Sequence, residues 1–311
     1  MTRITTAAQD NLLIGFMQQN QAQLDKLTTE VSTNSTGQTY ADIAPQAGNL
    51  VDLKAQVASQ QSFNTTINTV STRLQLMNLS VSDIQKQIQA FRGLIPNGAF
   101  NNTQPTIQTQ AKTLLQQIAG SLNTTDGTRY LFAGTSTNTP PVTTASLPTA
   151  PLSLVTPVNG PPSAGGYYQG GGPVPPAQID TQLSLNYAIS AQDPGTFEPI
   201  MRVLNFIANS PPFNSSNPVD NANLQTAANL LDGADANLTT MLGNIGLQEQ
   251  QLNQAQTLHT NTIAVAQSGI SNIQNIDQAS VITQLNNLDT EIQASYAATS
   301  QIGKLSLVNF L

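Results

Sequence analysis

A row of apolar residues runs along the chain from Phe63 to Ile95 without a polar interruption. Its members follow each other at alternating spacings of four and three residues, which places them on one face of an α-helix. The row predicts a long helix from Leu50 to Ile95 that packs against other helices. The ten residues of this predicted rod core are Phe63, Ile67, Val70, Leu74, Met77, Val81, Ile84, Ile88, Phe91 and Ile95.

Similar rows occupy both ends of the chain. The N-terminal row consists of Leu13, Met17, Leu24, Leu27 and Val31, with Asn20 as its one polar member, and Gly37, Pro45 and Gly48 end it. The C-terminal row runs from Leu224 to Ala255, slips in phase near His259 and again near Asp277, and then recovers. Such slips locally unwind a coiled coil. After the recovery the apolar positions are Val281, Leu285, Leu288, Ile292, Ile302, Leu305, Leu307, Phe310 and Leu311.

The middle of the chain has a different pattern. Residues 123–135 predict a turn followed by a short strand, and 138–176 are rich in Pro and Gly, which excludes a long helix. Residues 179–190 alternate apolar and polar side chains, which predicts a half-buried strand. Helical spacing flanks this β-rich stretch, after Pro105 up to Leu122 and again from Thr196 to Asn209.

These patterns predict a mainly α protein with a small β-rich inserted domain. A helix with one apolar stripe needs a partner, and the simplest arrangement folds the C-terminal rod back antiparallel on the N-terminal one as a coiled coil or bundle. Both termini would then lie at one end. We therefore expect a terminal coiled-coil domain (1–40 and 262–311), a helical rod domain (41–135 and 196–261) and a Pro/Gly-rich outer domain (136–195).

The three apolar rows have different expected roles. Residues 63–95 favour an internal core, whereas 13–31 and 281–311 favour contact between copies, because they carry more apolar surface than one antiparallel pair can hide. The predicted assembly interface consists of Leu13, Met17, Leu24, Leu27, Val31, Leu285, Leu288, Ile292, Ile302, Leu305, Leu307 and Phe310.

Composition excludes several classes of partner. Charged residues make up 9% of the chain, the net charge is −7 and only ten residues are Lys or Arg, so the basic footprint of a nucleic-acid-binding protein is missing. We expect no membrane insertion, because no stretch approaches about 18 continuous apolar residues. We also expect no cleaved signal peptide, because the apolar patch from Leu12 to Met17 is short.

Residues capable of chemistry are few. The chain has one histidine and no cysteine, which argues against an ordinary zinc site. His259 falls on the helical row and is interpreted as a buried polar spacer. Asp232 and Asp235 are interpreted as a solvated helix face, and Arg73, Lys86 and Arg92 as surface charges. We therefore predict that the protein is not an enzyme and that it needs no metal or cofactor.

Three segments carry a resemblance to a known family. "TTDGTRYLFAGTSTNTPPV" (124–142), "IDTQLSLNYAISAQDPGTFEPIMRVLNFI" (179–207) and the ending "KLSLVNFL" (304–311) resemble the flagellin superfamily, and within it the hook–filament junction family called hook-associated protein 3. Filament flagellins usually end differently. They also carry an "RLSSG"-like motif where this chain has "EVSTNSTG" (30–37), which favours the junction family.

The resemblance implies an extracellular structural subunit of the bacterial flagellum. Its termini would be disordered in the monomer and would fold on assembly with copies of itself, with hook-associated protein 1 and with flagellin. It also implies export without a cleaved signal, and an export chaperone bound at the C-terminus. Two alternatives stay open: a filament flagellin, and a secreted helical tip protein that binds a host or partner surface.

Overall fold

The computed structural model describes residues 2–37, 39–95, 104–155, 166–214 and 216–308. The chain is mainly helical, as predicted. The helices are α1 (Thr2–Thr33), α2 (Ala47–Arg92), α3 (Gln104–Leu122), α4 (Phe197–Asn209), α5 (Pro218–Gln274) and α6 (Gln278–Val308). The described residues contain one small sheet, in which β1 (Ala177–Gln178) pairs antiparallel with β2 (Ser184–Leu185).

Local sequence explains where the long C-terminal helices begin. Asn217 is the N-cap of α5, because its Oδ1 accepts the backbone N–H of Val219 at 3.0 Å, and Pro218 occupies the first helical position, where no N–H is needed. Asp277 caps α6 in the same way, accepting the N–H of Ala279 at 3.1 Å. The predicted phase slip at Asp277 is therefore a break between two helices.

The chain divides into two compact units. One contains Met1–Gln60 and Asn261–Leu311, and the other contains Gln61–Thr260. Helices α2 and α5 contribute residues to both units. The division into three domains remains a prediction. In the 61–260 unit a single hydrophobic core includes α2, α3, α4, α5 and residues of the predicted inserted domain such as Tyr167 and Ile179.

The rod-core row lies in this large core. Nine of its ten members, from Ile67 to Ile95, are buried, and Phe63 is half-buried. They share the core with Ile118 of α3, Leu204 of α4 and Leu231 of α5. At about 25 cal/mol per Å² of buried apolar area, a row of this length is a main source of the free energy of folding.

The predicted strand in 123–135 is wrong. The segment forms only an isolated bridge between Thr125 and Tyr130 and then turns tightly through Gly134, whose φ is +60°. The turn is fixed by the backbone of another loop: Gly171 N–H donates to Ala133 O at 2.8 Å, and Thr135 N–H donates to Gly172 O at 3.0 Å. These two hydrogen bonds between the loops hold the segment in place, although it forms no continuous strand pairing.

The strand predicted over 179–190 is also much shorter than expected. Only Ser184 and Leu185 pair with β1. The alternation of burial is real, since Leu185 and Tyr187 are buried and Asn186 is exposed, but Leu183 is half-exposed instead of sharing the buried face. Hydrogen bonding to a neighbouring strand depends on tertiary structure and not on alternation alone.

Candidate assembly surface

Helices α1 and α6 form an antiparallel pair within the unit that contains both termini. Asn34 near the end of α1 is next to Gln278 at the start of α6, with 3.3 Å between Oδ1 and Nε2, and Met17 is next to Thr299 farther along, with 3.7 Å between Sδ and Oγ1. A later residue of α6 is therefore next to an earlier residue of α1, so the two helices run antiparallel.

A small apolar cluster holds the pair together. Leu27, Val281 and Leu288 are its buried members, each 7–8% exposed. The half-buried members are Leu24, Val31, Ile276, Leu285 and Ile292. Six residues of the predicted assembly interface therefore contact each other within one chain.

The loop after α1 is tied to the break between α5 and α6. Thr36 N–H donates to Gln274 O at 2.8 Å, and the Thr36 hydroxyl donates to Asn275 O at 3.3 Å. Asn34 adopts a left-handed conformation with φ of +52°, which Asn tolerates better than most residues. These contacts fix the residues at which the pairing of α1 with α6 begins.

The remaining predicted interface residues are less enclosed. Leu13 and Met17 are half-buried on α1. The side chains of Ile302, Leu305 and Leu307, and the whole of Phe310, lie outside the described residues. The assignment of these positions to contacts between copies remains a prediction.

Exposed apolar side chains flank the paired face of α1. Leu12 is 63% exposed, Ile14 51% and Phe16 61%. On α6, Tyr296 is 51% exposed and Ile282 47%. These residues were missed by the sequence reasoning, because a three-four row follows only one stripe; the consecutive apolar residues Leu12, Leu13 and Ile14 were the available signal.

The apolar surface of α1 extends beyond the stripe that faces α6. At 100° per residue, Leu12 and Phe16 lie on one side of the stripe that faces α6, and Ile14 lies on the other. The apolar arc at this end of α1 is therefore wider than one partner helix covers. Exposed apolar surface of this kind, rimmed by polar residues, marks interaction sites.

Charge contributes little to this surface. Between Asn11 and Thr33, α1 carries only Asp25, Lys26 and Glu30, and the last two form an ion pair at 3.8 Å in which the Lys26 side chain is 63% exposed and the Glu30 side chain is 12% exposed. An ion pair at the surface contributes about 0–1 kcal/mol. The surface is built for apolar packing and for hydrogen bonding by amide and hydroxyl side chains.

The polar groups buried in the other unit serve packing. Arg73 was interpreted as a surface charge, and this is wrong: its Nε donates to Asp126 Oδ2 at 2.7 Å and its Nη1 to the Tyr187 hydroxyl at 3.3 Å. Burial by itself would lower the pKa of Arg73, but these hydrogen bonds raise it above its ordinary value. Burial would likewise raise the pKa of Asp126, but hydrogen bonds from Thr128 and Arg73 hold that pKa well below its usual range.

Two polar side chains near the end of α2 are hydrogen-bonded to carboxylates of α5. Arg92 Nε donates to Asp232 Oδ1 at 2.8 Å, and Gln89 Nε2 donates to Asp235 Oδ1 at 3.0 Å. Arg92 is therefore not a free surface charge, and Asp232 and Asp235 are not simply solvated. These contacts join α2 to α5 within the 61–260 unit.

The single histidine is buried and structural. His259 Nε2 lies 2.8 Å from Ile179 O, and because a carbonyl only accepts, that nitrogen carries the proton. The ring stacks on Phe63, with centroids 5.6 Å apart and planes inclined by 27°. The described residues contain no group of three or more His, Asp or Glu side chains that could hold a metal ion.

Within the described ranges, no helix combines the length and the apolar character of a membrane span.

The C-terminal part of the chain matches a known family by sequence. Residues 228–311 match the bacterial flagellin C-terminal helical region. The matched stretch includes most of α5, all of α6 and therefore the exposed residues Ile282 and Tyr296. No curated protein matches the sequence.

Solved structures resemble the chain in fold. A candidate flagellar hook-associated protein from Vibrio parahaemolyticus superposes with a TM-score of 0.60 at 17% identity, over 75% of this chain and 100% of that one. FlgL of Bacillus cereus gives 0.47 at 14% identity, over 72% of this chain and 99% of FlgL. Flagellar hook-associated protein 3 of Legionella pneumophila gives 0.46 at 13% identity, over 76% and 99% of the two chains.

The matched C-terminal region and the fold shared with the Vibrio protein support one conclusion. The resemblance to the flagellin superfamily is confirmed by sequence in residues 228–311, and about three quarters of the chain share the fold of the Vibrio protein.

Proposed function

We propose that this chain is a structural subunit of the bacterial flagellum, located where the hook meets the filament, and that its terminal helices hold it there. The observation that carries the proposal is the flagellin C-terminal match, which includes α6, the helix that pairs with α1. The subunit performs no reaction. Its task is to connect two tubular polymers mechanically.

The partners follow from this position. Copies of the same chain flank each subunit, hook-associated protein 1 lies on the hook side and flagellin on the filament side. The assembled protein is extracellular, and an export chaperone covers its C-terminus inside the cell. The likeness to flagellar hook-associated proteins and the wide apolar arc of α1 support these assignments.

Burial of exposed apolar side chains supplies the driving force for assembly. Covering a large apolar side chain contributes about 1.5–3 kcal/mol. Leu12 and Phe16 each keep more than half of their surface exposed within one chain. Neighbouring subunits that cover both side chains gain this free energy at every repeat of the ring.

Point variants test the proposal without cutting the chain. In a strain that lacks the native protein, Leu12→Gln with Phe16→Gln should abolish incorporation at hook tips, as seen by electron microscopy. The matched control is Leu79→Gln on α2, which changes a side chain that is 69% exposed. Normal incorporation of the double variant would contradict the proposed role of α1.

Deletion of residues 1–31 or 281–311 tests the same proposal by removing a terminal helix. We expect a soluble middle region with a cooperative unfolding transition that no longer assembles. A truncated protein that still reaches the hook tip would show that the terminal helices are dispensable.

A second candidate is a filament subunit, and the family match favours it too, because that family is named for flagellin itself. The two roles differ in polymer length. Purified filament flagellin should form fibres of micrometre length without other proteins, whereas a junction subunit should stop at short oligomers. Negative-stain microscopy of the concentrated protein separates them.

A further inference from the structure

Helix α5 is packed unevenly along the part that belongs to the 61–260 unit. Its first stretch is held by a dense row of apolar residues, each at most 3% exposed: Leu224, Ala227, Ala228, Leu231, Ala234 and Leu238. Among the described residues between Leu238 and Leu252, Ile245 is the one that is buried, while Met241 and Gln248 are half-buried. A stretch with few buried contacts has a lower local stability than its neighbours.

The weakly packed stretch also contains two glycines, Gly243 and Gly246. A Cβ added at either position would meet nothing within 4 Å, so no close contact with a described residue requires glycine there. Both residues are exposed, and water therefore reaches their backbone. Glycine weakens a helix interior relative to alanine, and helices bend at glycines and where water enters the hydrogen-bond ladder.

A groove of about 600 Å³ borders the same stretch, between α5 and residues 187–196. At 100° per residue, Gly246 lies on the side of α5 opposite to Asn244 and Gln248, which line the groove. Helices curve with their convex side toward solvent. The groove therefore gives α5 open space on the side toward which it would bend.

Side-chain hydrogen bonds anchor α5 at both ends of the groove. Asn237 Nδ2 donates to Gly195 O at 2.6 Å, and Gln248 Nε2 donates to Asn186 O at 2.8 Å. A bend in α5 is therefore confined to the turns near these two anchors, where the burial is thin and the glycines lie.

We propose that residues 239–251 form a flexible joint in α5, at which the helix bends reversibly toward the groove. Glycine alone does not make a joint. Gly233 also has open space around it, but it lies between the buried residues Leu231 and Ala234, which hold that turn in the core. The joint belongs to the 61–260 unit and does not rest on the proposed flagellar role, which concerns the unit that contains both termini.

Distances between spin labels test the joint in the full chain, which has no native cysteine. Ala236→Cys with Gln254→Cys places labels at two exposed positions 18 residues apart, on either side of the joint and on the same face of α5. Thr72→Cys with Ala90→Cys is the matched pair, because these positions are also exposed and 18 residues apart, on α2, with no glycine between them. In straight helices both pairs are about 27 Å apart along the axis.

Double electron–electron resonance should give a distance distribution at least roughly 1.5-fold broader for the α5 pair than for the α2 pair, because bending varies the separation of the labels. Gly243→Ala with Gly246→Ala should narrow the α5 distribution to the width of the α2 distribution. The proposal is overturned if the α5 pair is no broader than the α2 pair, or if the two alanines leave its width unchanged.

Amide hydrogen exchange separates a local joint from a general change in stability. The N–H groups of residues 246–250 close the helical turns across the joint, and Gly243→Ala with Gly246→Ala should slow their exchange roughly 20-fold. Gly233→Ala is the matched control, because it makes the same replacement in open space within the densely packed stretch, and it should leave the exchange of 246–250 unchanged. Equal slowing by Gly233→Ala would also overturn the proposal, because glycine would then act only through the stability of the whole unit.

Discussion

Arg73 Nε and Asp126 Oδ2 lie 2.7 Å apart, and the pair joins α2 to the turn that begins "TTDGTRYLFAG". Asp126 Oδ1 also accepts the backbone N–H groups of Thr128 and Arg129, both at 2.9 Å, so one carboxylate both closes the turn and anchors it to the helix. The side chains of Arg73 and Asp126 are only 17% and 10% exposed. The pair is therefore shielded from water.

Asp126→Asn should lower the free energy of unfolding by about 2–4 kcal/mol, because it leaves the Arg73 guanidinium without its anionic partner. Urea denaturation at neutral pH measures the change. The control is Asp232→Asn, which breaks the bridge to Arg92 at a carboxylate that is 54% exposed and should cost less than about 1 kcal/mol. Equal losses in the two variants would show that burial of the pair is not what matters.

The lowered pKa of Asp126 predicts a loss of stability in acid. A carboxyl whose pKa is lower in the folded state stabilises the fold at pH values above its unfolded pKa of 3.8, and this contribution disappears as the pH falls through the folded pKa. The wild type should therefore lose an additional part of its unfolding free energy as the pH drops below about 4. Asp126→Asn should lack that part, so the difference between the two proteins should shrink with acidification. A difference that stays constant from neutral to acidic pH would contradict this assignment.

Gly134→Ala should destabilise the protein by about 1–3 kcal/mol, because the backbone is left-handed at this position and an added Cβ would collide with Gly171 and Gly172. The control is Gly243→Ala in the interior of α5, where an added Cβ meets nothing within 4 Å. That substitution should stabilise the helix by about 0.5–1 kcal/mol. Thermal unfolding of both variants should therefore shift in opposite directions, and a shift in the same direction would disprove the assigned role of Gly134.

His259→Phe should cost about 1–3 kcal/mol, although it preserves an aromatic ring, because the Ile179 carbonyl loses its donor in a buried position. Gln254→Ala, at an exposed position of the same helix, should change stability by less than about 0.5 kcal/mol. Chemical denaturation compares the two. An unchanged free energy of unfolding in His259→Phe would mean that stacking on Phe63, and not the hydrogen bond to Ile179 O, is the stabilising contact of this ring.

Leu74 and Leu79 allow the rod core to be tested within one helix. Leu74 is fully buried and Leu79 is 69% exposed. Leu74→Ala should lower the free energy of unfolding by about 2–5 kcal/mol, and Leu79→Ala by less than about 0.5 kcal/mol. Comparable losses would contradict the placement of the row in the core.

Local sequence signals were sufficient for the helices. The rows of α2 and α5 and the helix after Pro105 were predicted, because an α-helix is closed by hydrogen bonds between near neighbours and its buried face repeats along the sequence. Near Asp277 only a phase slip was predicted, and the structure has a break between α5 and α6 there. The burial of His259 was predicted for the same reason, since it occupies a position of the row.

The exposed apolar residues of α1 show where the sequence reasoning stopped. The row identified Leu24 and Leu27, which the structure pairs with α6, but it did not separate residues covered within the chain from those left open, such as Phe16. A stripe shows only that a residue belongs to an apolar face. The neighbour that covers this face is decided by tertiary structure.

By itself, the sequence determined the helical content, the low charge and the positions of the main apolar faces, because these depend on composition and on short-range periodicity. Tertiary structure decided the partner of Arg73, the glycine-backed turn at Gly134 and the early end of β2. Each of these depends on groups that are far apart in sequence, such as Arg73 with Asp126 and Gly134 with Gly172. No local pattern encodes which distant donor will meet which acceptor, and folding of the whole chain brings them together.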